Sequence, residues 1–399
     1  MTGVKKSFRR LLLRYPALVL LAVLLIPRLA YAGDGTIRRV DRAAPQQYIV
    51  TLKPAAGLDV HALARQLART YGGELLHVYE RALSGFAIRI PEAAARRLSA
   101  LPDVLTVEED ALGEITATQT NAPYNLDRLD TRPRVYDGAY NYNRTGDVAS
   151  IYIFDTGVRT DHAEYYYRIY SGFSAFNDQY WVNDCHGHGT HVAGIAAGNT
   201  YGVAKAAALI PVRVCSCTGG CTASNIIAGV NWVISNHITG ASEVANFSLR
   251  LSANTSLDAA INNLIDAGVV VVAGAGNDNQ DACNYSPGRV PRVITVGGSD
   301  INDARGIWGA QASNTGSCVD IWAPGTNITS SWLTSTTATN TLSGTSMAAP
   351  HVAGMAAQYF DTNWGAAPAT VSSALINNAS VGYLTGIGSS PNRLLHIVP

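Results

Sequence analysis

Ser346 is the first residue whose type and surroundings suggest chemistry. It lies in the stretch SGTSMAAPHVAG at positions 343–354. Gly344 and Thr345 predict a tight turn before Ser346, and the small apolar residues that follow allow the next helix to be buried. A hydroxyl at the N-terminus of a helix lies in a field that favours developing negative charge. In isolation, a capping serine is the simpler interpretation, so a catalytic role requires partners elsewhere in the chain.

Three other residues could serve as those partners. Asp155 directly follows an apolar strand-like run, His188 lies among glycines where a helix begins, and Asn277 follows the run VVVV. Asp155 and Asn277 alone are explained as turn residues. Together the three supply what a weakly nucleophilic serine needs: a histidine base, an aspartate that fixes the histidine tautomer, and an amide directed at an oxyanion. The set predicts acyl transfer through a serine nucleophile.

His188 also belongs to a histidine-rich segment that suggests a different chemistry. His186, His188 and His191 lie close to Cys185 in the sequence, a composition found in metal sites. Zinc sites usually take ligands from two separated pairs, or from a histidine pair at i, i+4 with a glutamate, and this segment contains no glutamate. Metal-dependent hydrolysis therefore remains an alternative hypothesis, which a serine-directed phosphonylating reagent, compared with a chelator, would separate from serine catalysis.

The elements that must position these residues alternate between strands and helices from residue 150 onward. Such alternation predicts an α/β fold with a mainly parallel sheet and helices on both faces. In these sheets ligands bind at the carboxyl ends of the strands, where Asp155 and Asn277 are expected. The predicted strands are Ile151–Phe154, Ala208–Val214, Val244–Leu249, Val269–Val272, Val293–Val296 and Val319–Trp322, and the predicted helices are Gly187–Gly198, Ser224–Ile238 and Leu257–Ala267.

A separate small unit is predicted upstream. Its pattern is β-α-β-β-α-β, which is typical of a ferredoxin-like α+β unit, and it contains no cysteine. The small polar run ATQTN at 117–121 follows it and is a plausible processing site. The predicted elements are Gln47–Leu52, His61–Tyr71, Leu76–Tyr79, Gly85–Ile90, Pro91–Leu101 and Val104–Glu109, with Pro91 in the first helical turn.

The N-terminus has the pattern of a targeting segment. Lys5, Lys6 and three arginines precede the apolar run 16–26, which is too short to span a bilayer comfortably, and Ala30-Tyr31-Ala32 fits a cleavage site after Ala32. The pair Arg9-Arg10 suggests twin-arginine export, while a plain basic start suggests the general secretory route. Either route predicts a secreted, extracellular protein.

Composition excludes some functions. The 399 residues are 47% hydrophobic and 15% charged with 37 glycines, which suits an α/β enzyme and argues against disorder. The overall net charge is zero, but from residue 118 onward 13 basic residues face 18 acidic ones, a net charge of −5. No basic stripe interleaved with aromatic residues is present, so nucleic-acid binding has little support. Later apolar runs are short and interrupted, so no stable membrane anchor is expected.

The order of the residues, Asp155 then His188 then Ser346, is that of subtilisin and differs from those of α/β-hydrolases and chymotrypsin. The motifs DTG at 155–157, HGTH at 188–191 and GTSMAAPH at 344–351 closely resemble the subtilisin-like serine proteases, within them the proteinase K and aqualysin group. The resemblance covers nearly everything after the signal segment. It implies a monomeric serine endopeptidase acting on proteins or peptides, in which Asp155, His188 and Ser346 form the triad and Asn277 helps to hold the oxyanion.

The resemblance also implies a zymogen. The upstream unit resembles the family's propeptide, which acts as an intramolecular inhibitor and folding template and is removed autocatalytically. We expect the cut between Ala117 and Thr118, and therefore a signal peptide over 1–32, a propeptide over 33–117 and a peptidase domain over 118–399.

Six cysteines in an exported chain suggest disulfides, whose pairing the sequence alone leaves open. The resemblance implies the pairs Cys185–Cys217 and Cys283–Cys318. Cys215 and Cys221 then remain at the two ends of a short loop. We predict that they pair, although a free or alternative arrangement stays open.

Structural calcium is a further implication of the resemblance. Asp320 with the carbonyls of Pro291 and Val293 resembles the family's strong site, and mixed carboxylate and carbonyl oxygens suit calcium. Solvated surface charge is the alternative for every aspartate in these sets, and Thr131 stands where relatives have a glutamine in the second set. That second set, which resembles an N-terminal site, consists of Asp127, Asp130 and Asp137.

One stretch departs from the family. The substrate is expected to lie as an added strand between Thr218–Cys221, which contains Gly219 and Gly220, and the stretch 248–252. That stretch normally reads Ser-Leu-Gly-Gly-Gly, but here it is Ser248-Leu249-Arg250-Leu251-Ser252. Three larger residues, facing the normal small wall Gly274-Ala275-Gly276, predict a narrowed or charged cleft that favours small P1 residues. Ala117, the expected P1 residue of the self-cut, agrees with this. The alternative is a self-processing scaffold with little turnover, used in binding or assembly.

Overall fold

The computed structural model describes residues 35–40, 43–113 and 117–397. The predicted signal segment and its cleavage site at Ala32 lie outside these residues. The chain separates into two compact units that divide between residues 114 and 115. The boundaries predicted from the sequence, after Ala32 and after Ala117, remain predictions.

The first unit is the ferredoxin-like α+β unit that the sequence predicts. Its four strands are antiparallel in the order β2-β3-β1-β4. Asp59 caps the first helix through the amide of Ala62, and Gly72 ends that helix in the left-handed conformation at φ 69°. Both helices lay an apolar face on the sheet, with Leu67 and Leu98 in the shared core. The elements are β1 (Ala43–Leu52), α1 (Val60–Tyr71), β2 (Glu74–Tyr79), β3 (Gly85–Arg89), α2 (Glu92–Ser99) and β4 (Val104–Ala111).

The second unit is built on a mainly parallel sheet, also as predicted. In its described part the sheet has nine strands in the order β20-β21-β17-β14-β12-β10-β7-β9-β8, and only the edge strand β20 is antiparallel. Its central strands are buried on both faces and read as apolar runs, as parallel strands should. The strands are β7 (Ala149–Asp155), β8 (Phe173–Ser174), β9 (Ala208–Arg213), β10 (Ser242–Phe247), β12 (Val270–Gly274), β14 (Ile294–Ser299), β17 (Ile321–Pro324), β20 (Ser380–Val381) and β21 (Arg393–Leu394).

Helices cover both faces of this sheet. Helices α4 and α7 share one core, and α5 and α6 share the other. Gly354 permits the close approach of α7 to α4, because a Cβ there would lie 2.6 Å from the carbonyl oxygen of Ala196. The helices of this unit are α3 (Tyr124–Asp130), α4 (His188–Ala197), α5 (Ala223–Asn236), α6 (Thr255–Asp266), α7 (Thr345–Phe360) and α8 (Pro368–Asn378), with short 3₁₀ turns at Ala163–Tyr165 and Ala282–Asn284.

Four small two-stranded sheets complete the described part of the unit. These sheets, together with α3 and α8, were not predicted from the sequence. Most of their strands have only two to four residues, too few for a period-2 pattern to emerge. The pairs are β5 (Ala117–Thr120) with β6 (Ala139–Tyr142), β11 (Leu251–Ser252) with β13 (Tyr285–Ser286), β15 (Ile307–Trp308) with β16 (Gln311–Ala312), and β18 (Ile328–Ser331) with β19 (Thr339–Leu342).

The order in which strands are added to the sheet reverses between the parallel neighbours β7 and β10. From β7 the next strands lie on one side of the sheet, at β9 and β8, whereas β10, β12 and β14 lie on the other. A crevice forms at the carboxyl ends of strands where such a reversal occurs. Asp155, Ser248 and Asn277 stand at or just beyond the ends of β7, β10 and β12. Across the described residues, no helix has both the length and the apolarity needed to cross a membrane.

Candidate active site

Asp155 and His188 are in direct contact. The Nδ1 atom of His188 lies 2.8 Å from Oδ1 and 2.9 Å from Oδ2 of Asp155. Asp155 is buried at the end of β7, and its Oδ1 also accepts a hydrogen bond from the amide of Thr156 at 2.8 Å. A carboxylate held in this way fixes the protonated nitrogen of the imidazole as Nδ1 and leaves Nε2 as the basic atom.

The start of helix α4, which carries His188, is organised by a second carboxylate. Asp184 accepts hydrogen bonds from the amides of His186, Gly187 and Thr190 and from the Thr190 hydroxyl. Gly187 has φ 109°, a conformation that suits glycine, and this turn directs the chain into the helix.

The charge environment favours protonation of His188. Burial lowers the pKa of this imidazole, but the charge and hydrogen bond of Asp155, with a contribution from the charge of Asp184, outweigh burial. The pKa of His188 is therefore raised above its ordinary value of 6.5. This is the direction expected for a histidine whose carboxylate partner stabilises the imidazolium form.

Ser346 lies in the first turn of α7, as its sequence predicts. Within residues 117–397 its Oγ donates a hydrogen bond to the carbonyl of Ser248, at 3.1 Å, rather than to His188. Ser248 in turn donates from its own hydroxyl to the carbonyl of Ser346, at 2.9 Å. The backbone N–H of Ser346 is in the first turn of the helix. No carbonyl within the helix can accept a hydrogen bond from it. Catalytic hydrogen bonds commonly form only when substrate is bound.

Asn277 is held with its amide in a defined orientation. Its Oδ1 accepts from the backbone amide of Thr345 at 3.0 Å and from the Thr345 hydroxyl at 2.9 Å. Its Nδ2 therefore faces the other way, towards Gly344, where an added Cβ would lie 3.1 Å away. Asn277 and the start of α7 are thus locked together by these contacts.

These residues surround one cleft with a cavity of about 440 Å³. Among the described residues, Gly220, Leu251, Ser252 and Ala275 do not line the cleft, unlike the other predicted substrate-binding residues. Residues 248–250 form one edge of the cleft, whereas Leu251 and Ser252 pair with Ser286 and Tyr285. The predicted residues that do line it are Asp155, His188, Gly219, Ser248, Leu249, Arg250, Gly276, Asn277 and Ser346.

Of the two effects expected for Arg250, a narrowed or a charged cleft, its contacts favour narrowing. Its guanidinium forms an ion pair with Asp278 and lies 5.0 Å from the centre of the Tyr285 ring. Its stem lies against Gly276, where an added Cβ would be 2.8 Å from Cδ of the arginine. Arg250 therefore adds bulk between the two walls, while its charge is paired.

Disulfides brace one wall of the cleft. The structure contains Cys185–Cys217, Cys215–Cys221 and Cys283–Cys318, which are the three expected pairs. The first two converge on the segment 215–221, so the wall that contains Gly219 is tied to the turn before His188 and closed on itself.

The three histidines do not form a common ligand set. His191 is fully buried, and its Nε2 lies 3.1 Å from the carbonyl oxygens of both Ile328 and Asn340, so this nitrogen carries a proton as donor. Burial lowers the pKa of His191 to about 4. His186 is exposed, and the ring centres of His186 and His188 are 6.4 Å apart. In the part of the chain that the structure describes, no three His, Cys, Asp or Glu side chains converge as metal ligands.

Some of the carboxylates expected to bind calcium have features that fit a cation. These features occur at single residues rather than in a cluster of ligands. Burial raises the pKa of Asp320 to about 6, and its Oδ2 accepts from the amide of Thr295 at 2.8 Å. Pro291 and Val293 lie in the loop directly before this amide.

In the N-terminal set, Oδ1 of Asp130 is buried without a hydrogen-bond partner in the described structure, whereas both oxygens of Asp127 accept from backbone amides. The Asp137 carboxylate accepts from the amide of Ala139 at 2.9 Å. An unpartnered buried carboxylate oxygen fits a cation.

Two residues that organise the site were not predicted from the sequence. Asp184 caps the turn before His188, and Asp278 pairs with Arg250. Asp184 had a detectable signal, because an aspartate shortly before a predicted helix is a common capping residue. Asp278 had none, since its partner is 28 positions away in the chain.

Comparison with known proteins gives a consistent result. The family model described as the subtilase family matches residues 146–393, and the model described as peptidase inhibitor I9 matches residues 47–115. An extracellular serine proteinase of Thermus sp. (strain Rt41A) is 44% identical over 374 residues, covering 89% of this chain and 90% of that protein. The subtilisin-like serine protease AsES of Sarocladium strictum is 37% identical over 364 residues, covering 90% of each. The solved structure of a cold adapted subtilisin-like serine proteinase has 42% sequence identity and a TM-score of 0.66. The match covers 70% of this chain and 100% of that chain.

Proposed function

This chain belongs to the subtilase family of serine proteinases and carries an I9 propeptide domain, and from that premise we propose that it is a secreted endopeptidase that cuts proteins through Asp155, His188 and Ser346. The observation that carries the proposal is the double contact of His188 Nδ1 with Asp155, at 2.8 and 2.9 Å, in the cleft that also contains Ser346. Secretion is supported by the targeting pattern and by relatives that are extracellular proteinases.

The mechanism follows from the geometry. Ser346 Oγ leaves the Ser248 carbonyl, gives its proton to Nε2 of His188 and attacks the scissile carbonyl. The Asn277 amide and the backbone N–H of Ser346 stabilise the negative oxygen of the tetrahedral intermediate. His188 then protonates the leaving amine, and water hydrolyses the acyl-enzyme by the reverse path. Asp155 orients the imidazole and stabilises its charged form throughout.

The I9 domain supports synthesis as a zymogen. We propose that the propeptide ends at Ala117 and that the peptidase domain begins at Thr118. Both residues belong to β5, in which they pair with Tyr142 and Asn141 of β6. The scaffold alternative rests only on the changed stretch 248–252 and is not favoured, because the His188–Asp155 contact is formed and Ser346 and Asn277 line the same cleft.

A small P1 residue is the proposed preference. The peptide carbonyl that Ser346 attacks must lie near Asn277, which places the P1 side chain between Gly276 and the 248–250 edge. Arg250 occupies part of that space by lying against Gly276. Large P1 side chains are therefore expected to be poor substrates.

Covalent labelling tests the proposed chemistry. A serine-directed phosphonylating reagent should abolish activity on a peptide with P1 alanine and add one equivalent of mass at Ser346, located by mass spectrometry of fragments. Brief exposure to a chelator should leave this labelling intact. Labelling at another residue, or immediate loss of activity with chelator while the protein remains folded, would contradict the serine mechanism.

The pH dependence of turnover should report His188. Because only the neutral imidazole accepts a proton and its pKa is raised above 6.5, kcat/KM should fall with decreasing pH through an apparent pKa above that value. Asp155→Asn removes the main charge that raises this pKa, so the acid limb should move to lower pH while kcat drops about 10⁴-fold. Stopped assays from pH 5 to 9 would measure both, and an acid limb unchanged in the variant would contradict the assignment.

We also propose structural calcium at Asp320, with the carbonyls of Pro291 and Val293, and at the set containing Asp130. When bound, calcium would neutralise these carboxylates. In the calcium-free enzyme, Asp320 binds a proton more tightly when folded than when unfolded, so the free energy of unfolding should fall as pH rises from about 4 to about 6.

Added calcium should restore stability above about pH 6, where the Asp320 carboxylate is ionised. Melting temperatures of phosphonylated enzyme, with excess calcium or with chelator, would show this increment. Asp320→Asn should lose most of it, whereas Asp266→Asn, at an exposed ion pair with Arg292, should retain it. A full calcium increment in the Asp320 variant would place the site elsewhere.

A further inference from the structure

We infer that Arg250 is the residue that sets the class of P1 side chain, and that Asp278 and Tyr285 are positioning residues that hold it across the pocket. This inference rests on the proposed endopeptidase function and deepens it. The three residues come from separate parts of the chain and meet only in the folded structure. We call them the arginine latch.

The position of the Arg250 stem makes the pocket shallow. An added Cβ at Gly276 would be 2.8 Å from Cδ and 3.3 Å from Nε of Arg250, so the arginine already packs on this wall. The 248–250 edge and the Gly276 wall are therefore bridged by one side chain. Alanine can be accommodated beside it, but an aromatic ring requires the arginine to move.

Asp278 is a fixed anchor for the guanidinium. Its backbone amide donates to Oδ1 of Asn314 at 2.9 Å, and Asn314 is fully buried. The Asn314 amide nitrogen also donates to the carbonyl of Ala275 at 3.0 Å. The backbone of the residue whose carboxylate pairs with Arg250 is thus tied to the wall of the pocket itself.

Tyr285 closes the latch from the other side. The guanidinium carbon of Arg250 lies 5.0 Å from the centre of its ring, within the range of a cation–π contact. The ring is held by the pairing of Tyr285 with Ser252 and by a 3.0 Å hydrogen bond from its hydroxyl to Gln280. Arg250 is therefore restrained at its charged end by two partners rather than left free in the cleft.

The latch has two consequences for the substrate. Its bulk excludes large P1 side chains, and its paired charge gives an acidic P1 side chain no advantage, because Asp278 already neutralises the guanidinium. Release of the guanidinium would change both the space and the charge that the P1 side chain meets. A free cation at the pocket would attract a P1 carboxylate, and removal of the side chain would admit an aromatic ring.

A panel of peptides that differ only at P1, with Ala, Glu or Phe, tests the latch. Each enzyme is normalised by titration with the phosphonylating reagent, and ratios of kcat/KM within one enzyme are compared. Asp278→Asn should raise the Glu/Ala ratio roughly tenfold, the lower range for a charge-assisted hydrogen bond. Arg250→Gly should raise the Phe/Ala ratio roughly 10- to 200-fold, as an opened apolar pocket does.

Further variants separate bulk from charge. Arg250→Met retains the length of the side chain without its charge, so Phe should remain a poor P1 residue and the double variant Asp278→Asn/Arg250→Met should not gain activity on Glu. Tyr285→Leu removes one restraint on the guanidinium but retains the Asp278 carboxylate, so the Glu/Ala ratio should rise less than in Asp278→Asn. Asp266→Asn, which removes the partner of the distant Arg292, should have the ratios of the wild type.

The outcomes distinguish the latch from the catalytic proposal. If the wild type cuts the P1 alanine peptide but Asp278→Asn and Tyr285→Leu leave every ratio unchanged, or lower all three rates together, the latch is wrong and the endopeptidase proposal stands. If the wild type cuts no peptide and its Ser346 takes no label, both proposals fall.

Discussion

Ser346→Ala is expected to reduce kcat by about 2 × 10⁶-fold, the size of loss that removal of the nucleophile causes in subtilisin itself. The variant retains Asn277, the helix amide and the cleft, so substrate binding and residual stabilisation of the oxyanion remain. Without the hydroxyl, the expected self-cut between Ala117 and Thr118 should fail as well. N-terminal sequencing of the secreted variant should therefore find the propeptide still attached, whereas wild-type enzyme should begin at Thr118.

Ser343→Ala provides the matched control. Ser343 is three residues earlier, and its hydroxyl accepts a hydrogen bond from the amide of Asn327 at 2.8 Å, away from His188. This variant should be processed and should turn over peptides at the wild-type rate. Normal processing of Ser346→Ala, in preparations free of another protease, would contradict self-cleavage. Normal turnover of peptides by that variant would contradict the nucleophile.

The second large effect concerns stability. Asp303→Asn should lower the free energy of unfolding by about 3–5 kcal/mol, because it leaves a buried charge without its partner. Arg128 on α3 donates to Asp303 from Nε at 2.8 Å and from Nη2 at 3.0 Å, and the two side chains are 1% and 3% exposed. Asp303 has φ 58°, a conformation that asparagine also tolerates. The substitution therefore tests the charge rather than the backbone.

Unfolding of phosphonylated mature enzyme in urea would measure this effect without interference from autolysis. Asp266→Asn serves as the control, since its ion pair with Arg292 is exposed, and loss of an exposed pair costs about 0–1 kcal/mol. Equal losses in the two variants would show that burial of the Arg128–Asp303 pair has no special role in anchoring α3.

Much of the fold and of the site could be predicted because the necessary signals are local. The buried strand before Asp155 and the glycine turns around His188 and Ser346 are visible within about ten residues each. The order of the three residues then narrows the fold to one family. The short two-stranded sheets lacked such a signal because their strands are brief. Helix α8 and these sheets are stabilised mainly by tertiary packing, which leaves no periodic pattern in the sequence.

The features that could not be predicted depend on contacts between distant positions. Arg250 reads in sequence as an exposed charge, and only the fold brings Asp278 and Tyr285 to it. In the same way, the sequence predicts a serine beside a base, yet the hydroxyl of Ser346 donates to Ser248. A side chain such as this can adopt alternative orientations with different hydrogen-bond partners. These orientations differ in free energy by little more than one hydrogen bond.

The bridge between Cys215 and Cys221 has a consequence for substrate preference. It spans a separation of only six residues, so by loop entropy it contributes about 2 kcal/mol to global stability, less than the bridges whose separations are 32 and 35 residues. Its effect is on the shape of the cleft wall that contains Gly219. Removal of this bridge alone, as in Cys215→Ala/Cys221→Ala, should therefore alter substrate preference and should lower the melting temperature less than removal of either longer bridge. An enzyme that lacked only this bridge would remain folded and still be a different catalyst.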